Sequence, residues 1–400
     1  MKRFFTLAIM AIIASNCVNA QINEFKNWIK THKGGLESAS FANKGLSKEQ
    51  CSQATLLVDS LWREATAKRL QTEWRKLILQ NDTLRLACAC REIGKVPADG
   101  RSLYISMHGG GGAPKEVNDQ QWNNQIYLYT PAEGLYVAPR APWNTWDLWH
   151  KEGLDELFDK LIQSAVVFEG VNPNKVYLMG YSAGGDGVWR MAPRMADKWA
   201  AASMMAGHPG NASQVNLRNL PYMIWMGEHD KAYNRNTLAV EKGIVLDSLQ
   251  AADPEGYIHS TNIIKGKGHW MELADSASLS WMAKYRRNPY PAKIVWRQEE
   301  VVREHFYWLS APKNELAHGK SVVAHIDGNT IIIDKCDYSH ITIHLNDKMQ
   351  NLDKKVKVIY NGKKLLNKKF ERTIANLYKT MNIRNDYSYA FPVSIDVEIK

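Results

Sequence analysis

A serine hydroxyl is a weak nucleophile until a base takes its proton, so a serine set on an exposing turn within reach of an imidazole carries the most chemical information. Ser182 stands in Gly180-Tyr181-Ser182-Ala183-Gly184, after the apolar run Val176-Tyr177-Leu178-Met179 and before a helical pattern. That is the strand-to-helix setting of a nucleophile elbow. A side chain at 180 or 184 would crowd the backbone where strand and helix cross, and glycine removes the obstacle. A second element, His108-Gly109-Gly110-Gly111-Gly112, directly follows the strand-like Leu103-Tyr104-Ile105-Ser106-Met107. Attack on a carbonyl develops negative charge on its oxygen, and a glycine run past a strand end presents N–H groups without side-chain obstruction. Gly109 or Gly110, together with Ala183, is the expected donor pair. His108 is expected to shape this loop rather than to transfer protons.

The partners of the serine are sought beyond later strand ends, where open parallel sheets gather their functional groups. Tyr222-Met223-Ile224-Trp225-Met226 runs into Gly227-Glu228-His229-Asp230, which makes Asp230 the expected acid and Glu228 its competitor. His269 lies in Lys265-Gly266-Lys267-Gly268-His269-Trp270, just past a strand ending at Ile264, where a glycine-bearing loop can carry the imidazole over the sheet edge. The chain order Ser182, Asp230, His269 singles it out from His208, His229 and His259. Asp186, one helical turn past the serine, is expected to hydrogen-bond within the elbow.

Positioning these groups requires alternating strands and helices. Strand-like runs recur at Leu84–Cys88, Leu103–Met107, Tyr127–Tyr129, Leu135–Ala138, Val176–Met179, Ala201–Ala206, Tyr222–Met226 and Ile258–Ile264. Helical periodicity falls between several of them, notably at Leu154, Leu157, Phe158, Leu161, Ile162, Ala165 and Val166. The pattern predicts an α/β fold with a mostly parallel sheet and helices on both faces. Four segments are expected: a signal peptide over 1–20, a helical N-terminal extension over 21–81, a catalytic domain over 82–312 and a β-rich module over 313–400. The leader reading rests on Lys2 and Arg3, an apolar stretch from Phe4 to Ala14 and the small-residue site Val18-Asn19-Ala20. It predicts export to the periplasm or beyond, with a lipoprotein anchored through Cys17 as the minor alternative. Cleavage would lower the formal net charge from +10 to +8 by removing two cations, a modest excess that points to no nucleic acid. No other stretch is long and apolar enough for a transmembrane helix. Cys51, Cys88, Cys90 and Cys336 remain, read as structural thiols or one bridge whose pairing stays open.

Together, His108-Gly109-Gly110-Gly111, Gly180-Tyr181-Ser182-Ala183-Gly184, Gly227-Glu228-His229-Asp230 and Gly268-His269 resemble the α/β-hydrolase superfamily, and within it the secreted bacterial serine esterases and prolyl-oligopeptidase-like hydrolases. The resemblance covers about Leu84 to Leu309. It implies Ser182 as nucleophile, His269 as base and acid, Asp230 as the group orienting the imidazole, and no metal or organic cofactor. The implied activity is cleavage of a small or polysaccharide-linked carboxylic ester, such as an acyl or feruloyl decoration. A serine peptidase and a glycan-binding protein with an inactive core are the alternatives. Two departures stand out, since no β-propeller precedes the core and the β-rich tail is foreign to it. Trp143 and Trp146, in Pro142-Trp143-Asn144-Thr145-Trp146, are candidate walls for a sugar ring or aromatic acyl group, with plain packing as the other reading. The lysines at 354, 355, 357, 363, 364, 368 and 369 read as a solvated face, with an anionic or glycan surface as the minority view.

Overall fold

The computed structural model describes residues 20–31 and 35–399, so the leader sequence, Ala20 excepted, lies outside the described residues. The described residues divide into two compact units, one comprising Thr66–Tyr307 with Lys313–Val323, the other those up to Ala65, Trp308–Pro312 and those from Ala324 onward. A helix over 20–31 (α1) comes first, then the long α2 (Lys48–Lys76), which begins in the smaller unit and ends in the larger.

The larger unit continues with β1 (Ile78–Gln80), β2 (Arg85–Ile93), β3 (Arg101–Met107), α3 (Lys115–Leu128), β4 (Gly134–Arg140), α4 (Leu154–Phe168) and β5 (Val171–Tyr181). There follow α5 (Ala183–Arg194), β6 (Ala201–Met205), β7 (Tyr222–Gly227), α6 (Arg235–Ala252), β8 (His259–Ile264), α7 (Ala277–Met282), β9 (Lys293–Arg297) and the short β10 (His305–Phe306). The first eight strands form one sheet in the order β1-β2-β4-β3-β5-β6-β7-β8. All neighbours from β4 to β8 run parallel, while β2 is antiparallel to both β1 and β4. This is the expected α/β-hydrolase arrangement.

Its central strands are continuous apolar runs because both of their faces are covered: β3 is buried from Ser102 to Met107 and β7 throughout. α4 and α5 pack on β5, α3 on β3 and β4, α6 on β7 and β8, and α7 on β6. The apolar stripe read on α4 is the face it buries, with Leu157, Phe158 and Leu161 fully enclosed. Each such side chain contributes about 1.5–3 kcal/mol relative to exposure. The strand expected at Tyr127–Tyr129 does not form. Tyr127 and Leu128 are no strand but the last turn of α3, because Trp122 and Ile126, one helical turn apart, pack on the buried aromatic cluster around Tyr129 and Tyr136. That helical face outweighs the strand preference of the aromatic run, and Tyr127 turns to solvent.

In the smaller unit lie β11 (Leu309–Ser310), most of the β12 (Ser321–Asp327) and β13 (Thr330–Cys336) hairpin, β14 (His340–Leu345), β15 (Val356–Tyr360), β16 (Lys363–Lys368), α8 (Ile374–Arg384) and β17 (Val393–Glu398). β14 pairs antiparallel with β11 and β17, and β15 lies parallel to β13 and antiparallel to β16. Cross-strand pairs Ile341–Val397, Ile343–Ile395 and Leu345–Val393 stack on one buried face. The N-terminal residues belong to this same unit: Leu46 bridges to Arg372, and the Trp62 ring meets Tyr387 edge-on at 6.2 Å. The division expected at 81 and 312 therefore differs from the compact units, since an extension and a module separate in sequence share one core. Periodicity along the chain carries no information about that pairing.

Cys51, Cys88 and Cys90 are not joined in a disulfide. Among the described residues no helix is long and apolar enough to cross a membrane, and no cluster of three His, Cys, Asp or Glu side chains could hold a metal ion.

Candidate active site

β5 enters α5 without a connecting loop, and the residue at the junction is Ser182, at φ 57° and ψ −121°. A side-chain-bearing residue in that region costs roughly 1–3 kcal/mol, so the surroundings must enforce it. They do so through backbone packing. A Cβ on Gly180 would stand 2.4 Å from the Gly184 carbonyl oxygen, and one on Gly184 would stand 2.1 Å from that of Met107 at the end of β3. The Ser182 N–H is fixed by the Met205 carbonyl of β6 at 2.9 Å.

The loops after β7 and β8 bring the other two groups to this junction. His269 Nε2 lies 2.9 Å from Ser182 Oγ, and its Nδ1 lies 2.7 Å from Asp230 Oδ2. The carboxylate is 2% exposed and the imidazole 44%, so one end of the pair is enclosed and the other open to solvent. The two loops are clamped together: a Cβ on Gly227 would sit 1.9 Å from the Gly268 carbonyl, and the His229 N–H donates to the Lys267 carbonyl at 2.7 Å. Glu228 accepts the Gly266 N–H at 2.7 Å, which commits it to loop support. The Tyr181 hydroxyl donates to the His269 carbonyl at 2.6 Å and accepts the Met271 N–H at 3.1 Å, tying the histidine loop to the strand that carries the serine. His229 is exposed beside Glu228, and His259 pairs with Asp247, both apart from the serine.

The glycine loop after β3 forms the opposite wall. His108 is fully buried, with Nδ1 donating to the Gly109 carbonyl at 2.6 Å and Nε2 accepting the Ala141 N–H at 3.1 Å. Burial holds its imidazole down at about 4, so it is a neutral loop strut. Asn118, fully buried on α3, accepts the Gly111 N–H at 2.8 Å and donates to the carbonyls of Ala113 (2.9 Å) and Pro114 (3.1 Å). That takes Gly111 out of use as a donor. Among the described residues none accepts from the N–H of Gly109, Gly110 or Ala183. Gly110 and Ala183 line the cavity beside Ser182, whereas Gly109 is buried against the Ser182 side chain and the Tyr181 carbonyl.

The cavity measures about 550 Å³. Trp146, 68% exposed, forms part of its rim, while Trp143 lies outside its lining with the Lys151 ammonium 4.8 Å over its ring. Asp186 reaches the cavity and accepts the His208 N–H at 2.6 Å, and burial pushes its carboxyl up to about 6. Arg190 and Arg235 complete the far side. Sequence reasoning missed four of the supporting residues: Asn118, Tyr181, Arg190 and Arg235. Tyr181 lay inside the elbow motif and was available to it. The other three are polar residues on helices whose contacts depend on the sheet order.

No protein-family model matches the chain, and no curated protein does. Among solved structures it is similar to a thermostable esterase at 16% identity and TM-score 0.40, over 52% of this chain and 62% of that one. The chain thus spans less than two thirds of that esterase. It is also similar to esterase PE8 (17% identity, TM-score 0.35, 50% of this chain and 98% of that one) and to Est1E from Butyrivibrio proteoclasticus (16%, 0.32, 52% and 95%). By its own strand order and by the elbow at the end of β5, the chain has the α/β-hydrolase fold.

Proposed function

We propose that the chain is a serine hydrolase of carboxylic esters. The observation that carries this reading is the unbroken Asp230–His269–Ser182 hydrogen-bond chain, at 2.7 and 2.9 Å, ending on a strained elbow that opens into a cavity. Ser182 Oγ adds to the ester carbonyl carbon as its proton passes to His269 Nε2, and the negative oxygen is met by the N–H groups of Gly110 and Ala183. Asp230 holds the imidazole in the tautomer whose Nε2 is free to accept. His269 then protonates the departing alkoxide, and water, activated by the same imidazole, releases the acid from the acyl-serine. The exposed Trp146 ring supports a ring-bearing substrate, such as a polysaccharide-linked acyl or feruloyl ester, and the leader sequence supports an exported enzyme acting on environmental material.

Incubation with a fluorophosphonate probe tests the reading, because only an activated serine is labelled. Adduct formation at Ser182 and turnover of p-nitrophenyl acyl esters are the expected results. No adduct would reject the assignment, and cleavage of peptide anilides in preference to esters would favour a peptidase.

A further inference from the structure

Arg235, the first residue of α6, faces the cavity that holds Ser182, and its side chain is 13% exposed. Its Nε is buried without a hydrogen-bond partner among the described residues. The nearest acid, Asp230, places Oδ1 at 3.8 Å, too far for a hydrogen bond, and commits its other oxygen to His269. Tyr233 covers one face of the guanidinium at 4.9 Å and is itself 75% exposed. The second arginine of the cavity shares the unpartnered Nε but differs at its tip, where Arg190 Nη1 is held by Glu300 at 3.0 Å and by Asn211. Asp186 commits Oδ1 to the His208 N–H. Arg235 thus presents a planar set of unused donors, largely withdrawn from water, beside the serine.

We propose that Arg235 recognises a carboxylate on the substrate, so that the preferred esters carry an anionic group on the acyl or the alcohol side. This rests on the hydrolase reading above. A guanidinium matches the two oxygens of a carboxylate in a way that a single carbonyl cannot, and the low local exposure strengthens such a pair. The cavity then selects by charge at one wall and by ring contact at the other, where Trp146 stands.

The test is calorimetric titration of the Ser182→Ala protein with two matched pairs, 4-acetoxybenzoate against 4-acetoxybenzamide and phenyl hemisuccinate against phenyl succinamate. At least one carboxylate is expected to bind about ten- to hundredfold more tightly than its carboxamide, as a charge-assisted pair supplies. Arg235→Gln in the same background is expected to remove that difference, and Arg235→Lys, which keeps a cation beside Asp230 but loses the fork, to reduce it. If Arg235→Gln fails to fold, the Lys variant decides. Equal binding within both pairs, a preference that survives both substitutions, or no binding of any probe at millimolar concentration would overturn the proposal. Because the titration needs no turnover, its failure is separate from failure of fluorophosphonate labelling, which concerns the serine itself.

Discussion

Replacing Asn118 by alanine should lower stability and turnover together, which tests how the glycine loop is held. Asn118 Oδ1 takes the Gly111 N–H and its Nδ2 serves the carbonyls of Ala113 and Pro114, three hydrogen bonds from one fully buried amide. Each is worth about 1 kcal/mol net. The loop groups are half-buried or exposed, so water recovers part of the loss, and a destabilisation of about 1–2 kcal/mol is expected. Gly110 sits directly before the freed Gly111 N–H, and its own N–H loses its fixed aim. Complete loss of one oxyanion donor costs about a hundred- to thousandfold in kcat, so a misaimed donor should cost about ten- to hundredfold. The fall should appear in kcat rather than KM, because this contact strengthens only as negative charge develops on the oxygen. The assay is steady-state hydrolysis of p-nitrophenyl esters beside thermal unfolding. Asn118→Asp keeps the acceptor for Gly111 but turns a second anionic oxygen toward two carbonyls, and should lie as low as alanine. An Asn118→Ala protein with lowered stability and undiminished kcat would refute the reasoning.

Ser182→Gly should abolish ester turnover and fluorophosphonate labelling while raising stability by about 1 kcal/mol, because glycine adopts φ 57° and ψ −121° without the strain serine bears; denaturant unfolding reads the gain. Asp230→Asn should lower kcat about ten-thousandfold with the fold intact, since the amide favours the wrong imidazole tautomer; burst kinetics and circular dichroism check both halves. Burial raises the Asp186 carboxyl from 3.8 to about 6, so between those values the folded protein holds a proton that the unfolded chain has released. Stability should therefore fall as pH rises through that window, by at most about 3 kcal/mol, and stay flat above it. Asp186→Asn keeps an acceptor for the His208 N–H and should flatten the slope, as measured by unfolding at pH 4 to 8. Gly227→Ala should separate the Asp230 and His269 loops, lowering kcat at least about tenfold with little change in KM, because its Cβ would meet the Gly268 carbonyl at 1.9 Å.

Much of the central sheet was legible because burial on both faces leaves uninterrupted apolar runs, as in β3 and β7, and glycines mark where those runs end. Ser182, Asp230 and His269 stood out for the same reason, each lying just past such an end, and the structure brings the three side chains within hydrogen-bonding distance. Asn118, Arg190 and Arg235 were not, because a polar residue on a helix looks the same whether it faces solvent or a loop that the topology folds over it. Tyr127 and Leu128 misled because local aromatic content suggests a strand, while Trp122 and Ile126 settle the matter through contacts with residues beyond the window. The union of the N-terminal helices with the C-terminal strands had no local signature at all.

What holds Ser182, Asp230 and His269 in place is mainly backbone against backbone. Gly184 against the Met107 carbonyl, Gly185 against that of Met205 and Gly227 against that of Gly268 leave no room for a Cβ at any of the three. Side chains exchange rotamers on fast timescales, but carbonyl-to-backbone contacts cannot loosen without moving a strand end, so the elbow inherits the rigidity of the sheet. The strain at Ser182 follows from this arrangement. If the elbow could relax, φ would return to an ordinary value and the hydroxyl would swing away from His269. The proposed substrate selection rests elsewhere, on Trp146, Tyr233 and Arg235, whose side chains can change without touching those contacts. Variation at these three positions should therefore alter which ester is taken while the labelling rate of Ser182 by a small fluorophosphonate changes far less.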